Sequence, residues 1–194
     1  MPTLATRTTS LCSLAALKAW LAQGGLSSAL DDARLVPACD AASEELERQT
    51  GCVFVTRTVT ETRNGDNRSV LKLRARPPVA VTSLTIGGSV VPASSYSLDP
   101  DLGLLWLTTG AFPAGFGNVV VVYTAGYGAQ DAATLPADVV RACLDLSKAI
   151  YDELTTGAIA ATSVTAGNQT FVLKAGPWPP SVERVIQSWK DVRA

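Results

Sequence analysis

The stretch of sequence that decides the fold is SALDDARLVPACDAASEELERQTGCVFVTRTVT, residues 28–60, which predicts a long helix leading directly into a strand. Its apolar residues recur three or four positions apart, which places them on one helical face. They are Leu35, Cys39, Ala42 and Leu46. Gly51 can adopt the left-handed backbone that ends a helix. Because Pro37 lacks an amide hydrogen, we expect it to kink the helix or to divide it near Val36.

A series of short strands and tight turns follows, over residues 52–128. Asn64-Gly65 lies between two extended runs, and an Asn-Gly pair in this position predicts a β-hairpin. Residues 104–107 and 119–123 are apolar on both faces, which predicts cover on two sides, from the helices or from another copy of the protein. About six strands in this span predict a compact sandwich or partial barrel.

Helical patterns return after the strands, where Leu135-Pro136 opens a second long helix. The whole pattern predicts an α+β fold: a small helical bundle of about four helices with an inserted antiparallel β sandwich or partial barrel of about six strands. The predicted parts are N-terminal helices of the bundle at 1–51, a β insertion at 52–128, a long helix completing the bundle at 129–156, and an extended linker with a C-terminal docking helix at 157–194.

The C-terminal part combines a flexible connection with a stiff one. Residues 157–169 are rich in Ala, Thr and Gly and predict a flexible segment, and residues 170–173 predict a brief strand. A proline-rich stretch at 176–180 precedes an amphipathic helix that runs from Ser181 to about Val192. This tail helix either packs on its own core or docks on another protein.

Composition removes several classes of chemistry. The chain of 194 residues contains no histidine, so it can build neither a histidine-activated nucleophile nor a histidine metal site. Its four cysteines have no CxxC spacing and predict reduced, buried thiols rather than a disulfide framework or a zinc site. They are Cys12, Cys39, Cys52 and Cys143. With no phosphate loop or dinucleotide fingerprint either, we expect no catalytic residue, no cofactor and no metal.

Charge and hydropathy indicate the compartment and the surfaces. The net charge of −1 is not that of a tight nucleic-acid binder. Lys18 interrupts the apolar run at 11–22, so we expect neither a signal peptide nor a membrane partner, and an intracellular chain. Residues 31–48 carry a net charge of −4, and residues 57–76 carry +4. Both regions are interpreted as solvated surface or as faces that meet a partner of opposite charge.

Several segments taken in order suggest a known family. They are LAALKAWL at 14–21, DDA at 31–33 with AASEELERQTG at 41–51, RPPV at 76–79 with VTSLTI at 81–86, VYTAGY at 122–127 and LPAD at 135–138. Together they resemble the head–tail connector, or adaptor, proteins of long-tailed bacteriophages. Pro37 departs from the pattern, because an aliphatic residue is expected near that position.

The resemblance implies a structural virion protein of the neck, assembled in the host cytoplasm. Such adaptors form a ring beneath the capsid portal, twelvefold to match it, and extend the channel through which double-stranded DNA passes without sequence-specific recognition. The implied partners are the portal, a tail-side neck or tail-completion protein, and further copies of the chain. The C-terminal segment is implied to dock on the portal through Pro177, Trp178, Val182, Val185, Ile186 and Trp189.

In such a ring, the acidic helix of one subunit could face the basic strands of the next. The candidate residues for this inter-subunit pairing are Glu44, Glu45, Glu47, Arg63, Arg68 and Lys72. An alternative function is a ligand- or receptor-binding β module of a phage tail, which predicts an exposed aromatic cluster in the loops. An enzyme built on a pair of carboxylates is a third, less supported hypothesis.

Overall fold

The computed structural model describes residues 6–23, 32–156, 163–166, 169–172 and 178–191. The chain divides into two compact units. The helical unit comprises Met1–Thr50 with Pro136–Ala194, and the β unit comprises Gly51–Leu135. None of the helices in the described part of the chain combines the length and apolarity needed to span a bilayer.

Four α-helices form the described part of the helical unit. They are α1 (Leu14–Gln23), α2 (Asp32–Thr50), α3 (Ala137–Thr156) and α4 (Pro180–Asp191). The Oγ of Ser13 accepts a hydrogen bond from the Ala16 amide at 3.1 Å, which satisfies one of the unpaired amides at the start of α1. Helix α2 packs against α3, and α4 packs against both.

The predicted apolar face of α2 is confirmed. Leu35, Cys39, Ala42 and Leu46 are all fully buried. The predicted division of the helix near Val36 is wrong, because α2 continues through Pro37. Proline removes a single backbone hydrogen bond, and buried residues on both sides of it hold the helix together. The helix ends at Thr50, and Gly51 follows with a φ of 66°, as expected for a left-handed terminating residue.

Seven strands in two antiparallel sheets form the β unit. They are β1 (Arg57–Gly65), β2 (Val70–Lys72), β3 (Pro78–Ile86), β4 (Ser89–Val91), β5 (Tyr96–Asp99), β6 (Leu104–Leu107) and β7 (Gly115–Ala125). One sheet has the order β1-β7-β3-β4, and the other has the order β2-β6-β5. Leu84, Leu105, Phe112 and Tyr123 are fully buried members of a single core to which both sheets contribute. The α+β class is therefore confirmed.

The hairpin predicted at Asn64-Gly65 is wrong. Strand β1 pairs with β7, whereas β2 pairs with β6 in the other sheet. The two asparagines of this region bind a distant segment instead of closing a local turn. Asn64 Oδ1 accepts a hydrogen bond from the Gly117 amide at 2.7 Å, and Asn67 Oδ1 accepts one from the Ala114 amide at 2.9 Å. The reversal of the chain comes later, at Asn67, whose φ is 62°.

The segment between α3 and α4 contains a two-stranded sheet. Strand β8 (Ser163–Ala166) pairs antiparallel with β9 (Gln169–Val172). The brief strand expected at 170–173 is thus present one residue earlier, and part of the segment expected to be flexible forms its partner. Pro177, one of the predicted docking residues, lies outside the described residues.

Candidate interaction surfaces

Helix α4 buries its apolar face within the chain's own helical unit. Val182 is fully buried and Ile186 is 3% exposed. Three side-chain hydrogen bonds also hold the helix: Ser181 to Asp145 at 2.9 Å, the Trp189 indole to Asp138 at 2.8 Å, and Lys190 to Gln49 at 3.1 Å. The structure therefore places the tail helix on its own core, one of the two arrangements that its sequence allows.

Three of the predicted portal-docking residues remain partly accessible. Trp178, Val185 and Trp189 are half-buried, and so each still presents atoms to a partner. Val182 and Ile186 are sealed against the chain's own helices and become available only if α4 detaches. Of the predicted docking residues that the structure describes, only these three can contact a partner while the fold stays intact.

The acidic residues of α2 already have basic neighbours in the same chain. Arg7 forms ion pairs with Glu44 and, at 3.8 Å, with Asp40, and Arg48 pairs with Glu45 one turn away. The Arg7–Glu44 pair is exposed on both sides, and such a pair typically stabilises by less than about 1 kcal/mol. The side chains of Asp40 and Glu45 are only 15% and 11% exposed. Glu44 is therefore accessible to a partner, whereas Glu45 is held within its own chain by Arg48 and by a hydrogen bond from Gln49 at 2.8 Å.

The basic residues of the predicted pairing are divided between two sheets. Arg63 belongs to β1, Lys72 belongs to β2, and Arg68 lies in the connection, where it faces Asp66 at 3.5 Å. Because β1 and β2 are not paired with each other, these residues do not form the single basic hairpin expected from the sequence. Lys72 and Arg68 are exposed, whereas Arg63 is half-buried.

A buried tyrosine and a carboxylate form the polar centre of the β unit. Tyr123 is fully buried, and its hydroxyl donates to Glu61 Oε1 at 2.5 Å. The amides of Arg74 and Ala75 also donate to Glu61, each at 3.0 Å. Burial raises the pKa of the Tyr123 phenol above its ordinary value, and the hydrogen bond to Glu61 raises it further. This cluster joins β1, β7 and the segment before β3, and its role is structural.

One loop presents an aromatic side chain almost completely to solvent. Phe116 is 95% exposed between Gly115 and Gly117, which have no side chains to cover it. We call residues 64–67 with 113–118 the braced tip. This feature was not predicted from the sequence, although the Gly-Phe-Gly triplet indicates it.

The backbone around Phe116 is held by an unusual number of side-chain bonds. Asn118 accepts from the Gly65 amide at 2.8 Å and donates to the Pro113 carbonyl at 2.7 Å. Asn64 and Asn67 add the two bonds already described. A Cβ at Gly65 would lie 1.9 Å from the Pro113 oxygen, so only glycine permits this approach. The tip is thus a rigid support for an exposed aromatic ring.

The outer face of the four-stranded sheet carries no charged side chain along its paired register. Thr60 lies opposite Val122, and Thr62 opposite Val120, with Ser83 and Thr85 on the far side of β7. The threonines of β1 are exposed, and Val90 on β4 is 73% exposed. We call this surface the uncharged face. Its half-exposed valines show that β7 is fully covered on one side only.

Three buried thiols form the candidate metal-ligating group of the described residues. Within the described residues, the group of side chains that could ligate a metal is Cys12, Cys39 and Cys143, all buried. The exposed features, by contrast, are apolar or charged contact surfaces. Such a combination is typical of a structural protein that acts by contact with other molecules.

The comparisons with known proteins identify the family. The family model described as head completion protein matches residues 11–192. The chain therefore belongs to the head completion protein family, which confirms the resemblance to head–tail connectors and a structural role at the head–tail junction of a virion. No curated protein sequence matches the chain significantly.

Solved structures share the fold. A chain in the neck of a native gene transfer agent particle, computed with C12 symmetry, is 20% identical with a TM-score of 0.65, and the match covers 97% of this chain and 95% of that one. A chain in the neck of an empty gene transfer agent particle, computed with C6 symmetry, is 21% identical with a TM-score of 0.64 and coverages of 84% and 80%. A chain of the native gene transfer agent virion is 20% identical with a TM-score of 0.61 and coverages of 85% and 80%.

Proposed function

We propose that the chain forms a twelvefold adaptor ring between the capsid portal and the tail or neck, and that this ring extends the channel for double-stranded DNA. The observation that carries the proposal is the family match over residues 11–192, joined to a fold shared along 97% of the chain with a protein of a C12-symmetric neck. The near-neutral charge suits a channel that DNA passes through without being held.

The portal-side contact is assigned to the C-terminal segment. Trp178, Val185 and Trp189 are half-buried. Tryptophan side chains commonly anchor interfaces, and Val185 adds apolar contact area between the two tryptophans in the sequence. Pro177 precedes them in the sequence. Val182 and Ile186 are buried and hold α4 against the other helices of the chain. The segment therefore docks with α4 in place, through its accessible edge.

The tail-side contact is assigned to the braced tip. An aromatic ring that is 95% exposed on a backbone held by three asparagine side chains loses little conformational freedom on binding. Preorganised aromatic anchors of this type contribute strongly to affinity. The tip belongs to the β unit and the portal-docking segment to the helical unit, so the two contacts use separate parts of the chain.

In the ring, neighbouring subunits contact each other through pairs of opposite charge and through the uncharged face. Glu44, Glu45 and Glu47 lie along one helix, and Arg68 and Lys72 are exposed on the β unit. Inter-subunit pairs between them would replace the weak pairs within the chain.

Co-sedimentation with portal tests the proposal. Full-length chain should enter a complex whose mass corresponds to a ring on the portal, and a chain truncated after Gly176 should not. As a matched control, Leu154→Ala changes an exposed apolar residue of α3 outside the docking segment and should bind normally. Equal binding of the truncated and full-length chains would refute the portal contact, and a free monomer at every portal concentration would refute the ring.

A further inference from the structure

Three cysteines from distant parts of the sequence converge in the helical unit. Cys12 precedes α1, Cys39 lies in α2 and Cys143 lies in α3, and all three are fully buried. The Sγ atoms of Cys12 and Cys39 are 2.7 Å apart, and those of Cys12 and Cys143 are 3.9 Å apart. All three cysteines are in the reduced thiol form in this structure.

The separations distinguish the possible uses of the cluster. Two thiolates on one tetrahedral zinc ion lie about 3.8 Å apart, given a Zn–S bond of about 2.3 Å, whereas a disulfide bond is about 2.05 Å long. At 2.7 Å, the sulfurs of Cys12 and Cys39 are nearer to the disulfide distance. A bond between them requires a smaller shift than a shared metal ion does.

The surroundings also favour a neutral product. The Cys39 thiol donates to the Cys12 carbonyl at 3.2 Å, and the Ser43 hydroxyl, 3.3 Å from the Cys143 sulfur, is bonded to the Cys39 carbonyl and the Leu11 amide. Three thiolates around a divalent ion would leave a net negative charge in a buried site, which is costly without a basic partner. A disulfide carries no charge.

We propose that Cys12 and Cys39 are a cross-linking site, which closes to a disulfide when the virion leaves the reducing cytoplasm. Only the time and place of oxidation rest on the proposed function. Disulfides form and persist on virions but not in a reducing cytosol. The cross-link would fasten the segment before α1 to the middle of α2.

The oxidant is a low-molecular-weight disulfide such as oxidised glutathione, which reaches Cys12 when the segment before α1 opens locally from α2. The thiolate of Cys12 attacks the glutathione disulfide and releases one glutathione thiolate. Cys39 then attacks the Cys12 sulfur and releases the second glutathione thiolate. In sum, two protein thiols and one glutathione disulfide give one protein disulfide and two glutathione thiols, which take up both protons.

Counting thiols tests this site on the whole protein. Reduced protein is incubated at neutral pH with oxidised glutathione, unfolded in guanidinium with an alkylating agent, and weighed by mass spectrometry. Wild type should carry four labels before oxidation and two afterwards, with a linked peptide pair containing Cys12 and Cys39. Cys52→Ala, which removes the buried cysteine of the β unit, is the matched control and should pass from three labels to one. Cys12→Ala should keep all three.

A second measurement reports the cross-link in the folded protein. The disulfide closes a loop of 27 residues, so the Tm should rise by about 10 °C on oxidation in wild type and in Cys52→Ala, and fall back on reduction. Four labels after oxidation, a link that involves Cys52, or one equivalent of zinc or copper in the isolated protein would overturn the proposal. None of these readouts depends on ring formation, so a failed portal assay leaves the cross-link standing, and an unoxidised protein that binds portal leaves the adaptor function standing.

Discussion

In the β unit, the residues that stabilise the fold differ from those that are accessible to other molecules. Tyr123 and Phe116 are both aromatic residues of β7, yet the first is fully buried and the second is 95% exposed. The difference follows from their neighbours, since Tyr123 faces the shared core while Phe116 stands between two glycines in the braced tip. Substitution at each should therefore affect a different property.

Tyr123→Phe should lower the free energy of unfolding by about 1–2 kcal/mol at neutral pH, because it removes the hydroxyl that donates to Glu61. The pKa of Tyr123 is raised in the folded state, so the folded protein resists ionisation that the unfolded chain undergoes from about pH 10. Its contribution to stability is present below that pH and is lost as the pH rises. Wild type should thus lose stability above pH 10 more steeply than the variant, by up to about 1.4 kcal/mol per pH unit, in denaturant titrations. Parallel curves would contradict the assignment.

Phe116→Ala should leave the free energy of unfolding within about 0.5 kcal/mol of wild type, because an exposed side chain contributes little to folding. The same substitution should reduce the fraction of heads that acquire tails, counted by electron microscopy in particles carrying the variant. Leu154→Ala, also exposed but in the helical unit, serves as control. Normal tail attachment by the Phe116 variant would show that the braced tip does not form the tail-side contact.

Among the elements, α4 combines a structural side and an accessible side. Ile186→Ala should cost about 3 kcal/mol in chemical denaturation, because it leaves a cavity beneath the helix. Val185→Ala, one residue earlier and half-buried, should cost less than about 1 kcal/mol but weaken co-sedimentation with portal. Unchanged stability of the Ile186 variant would mean that α4 does not rest on the helical unit in solution.

The elements also show how far sequence reasoning reaches. The buried face of α2 was predictable because helical periodicity is local. The partner strand of β1 was not predictable. Asn64 and Asn67 bond a segment about fifty residues away, and local sequence propensities contain no information on such contacts. Of the interaction surfaces, the exposed ring of Phe116 was signalled by its glycines, whereas the convergence of three cysteines depends on the tertiary fold.

For the whole molecule, charge should control assembly. Simultaneous reversal of Glu44, Glu45 and Glu47 to Lys should abolish rings in native mass spectrometry or sedimentation, because in the proposed pairing it places like charges opposite Arg63, Arg68 and Lys72. Compensating reversal of those three basic residues to Glu should restore rings. The exposed pair of Glu44 with Arg7 contributes little to stability, whereas the less exposed Glu45 contributes more, so thermal unfolding of the variant serves as the control for folding. Intact rings after the first reversal would contradict the pairing.

The uncharged face has a different physical character. Threonine and valine carry no charge that salt could screen, and they do not titrate over the pH range of natural waters. Contacts between subunits through such a surface would therefore depend little on ionic strength, whereas the contacts between charged pairs weaken as the salt concentration rises.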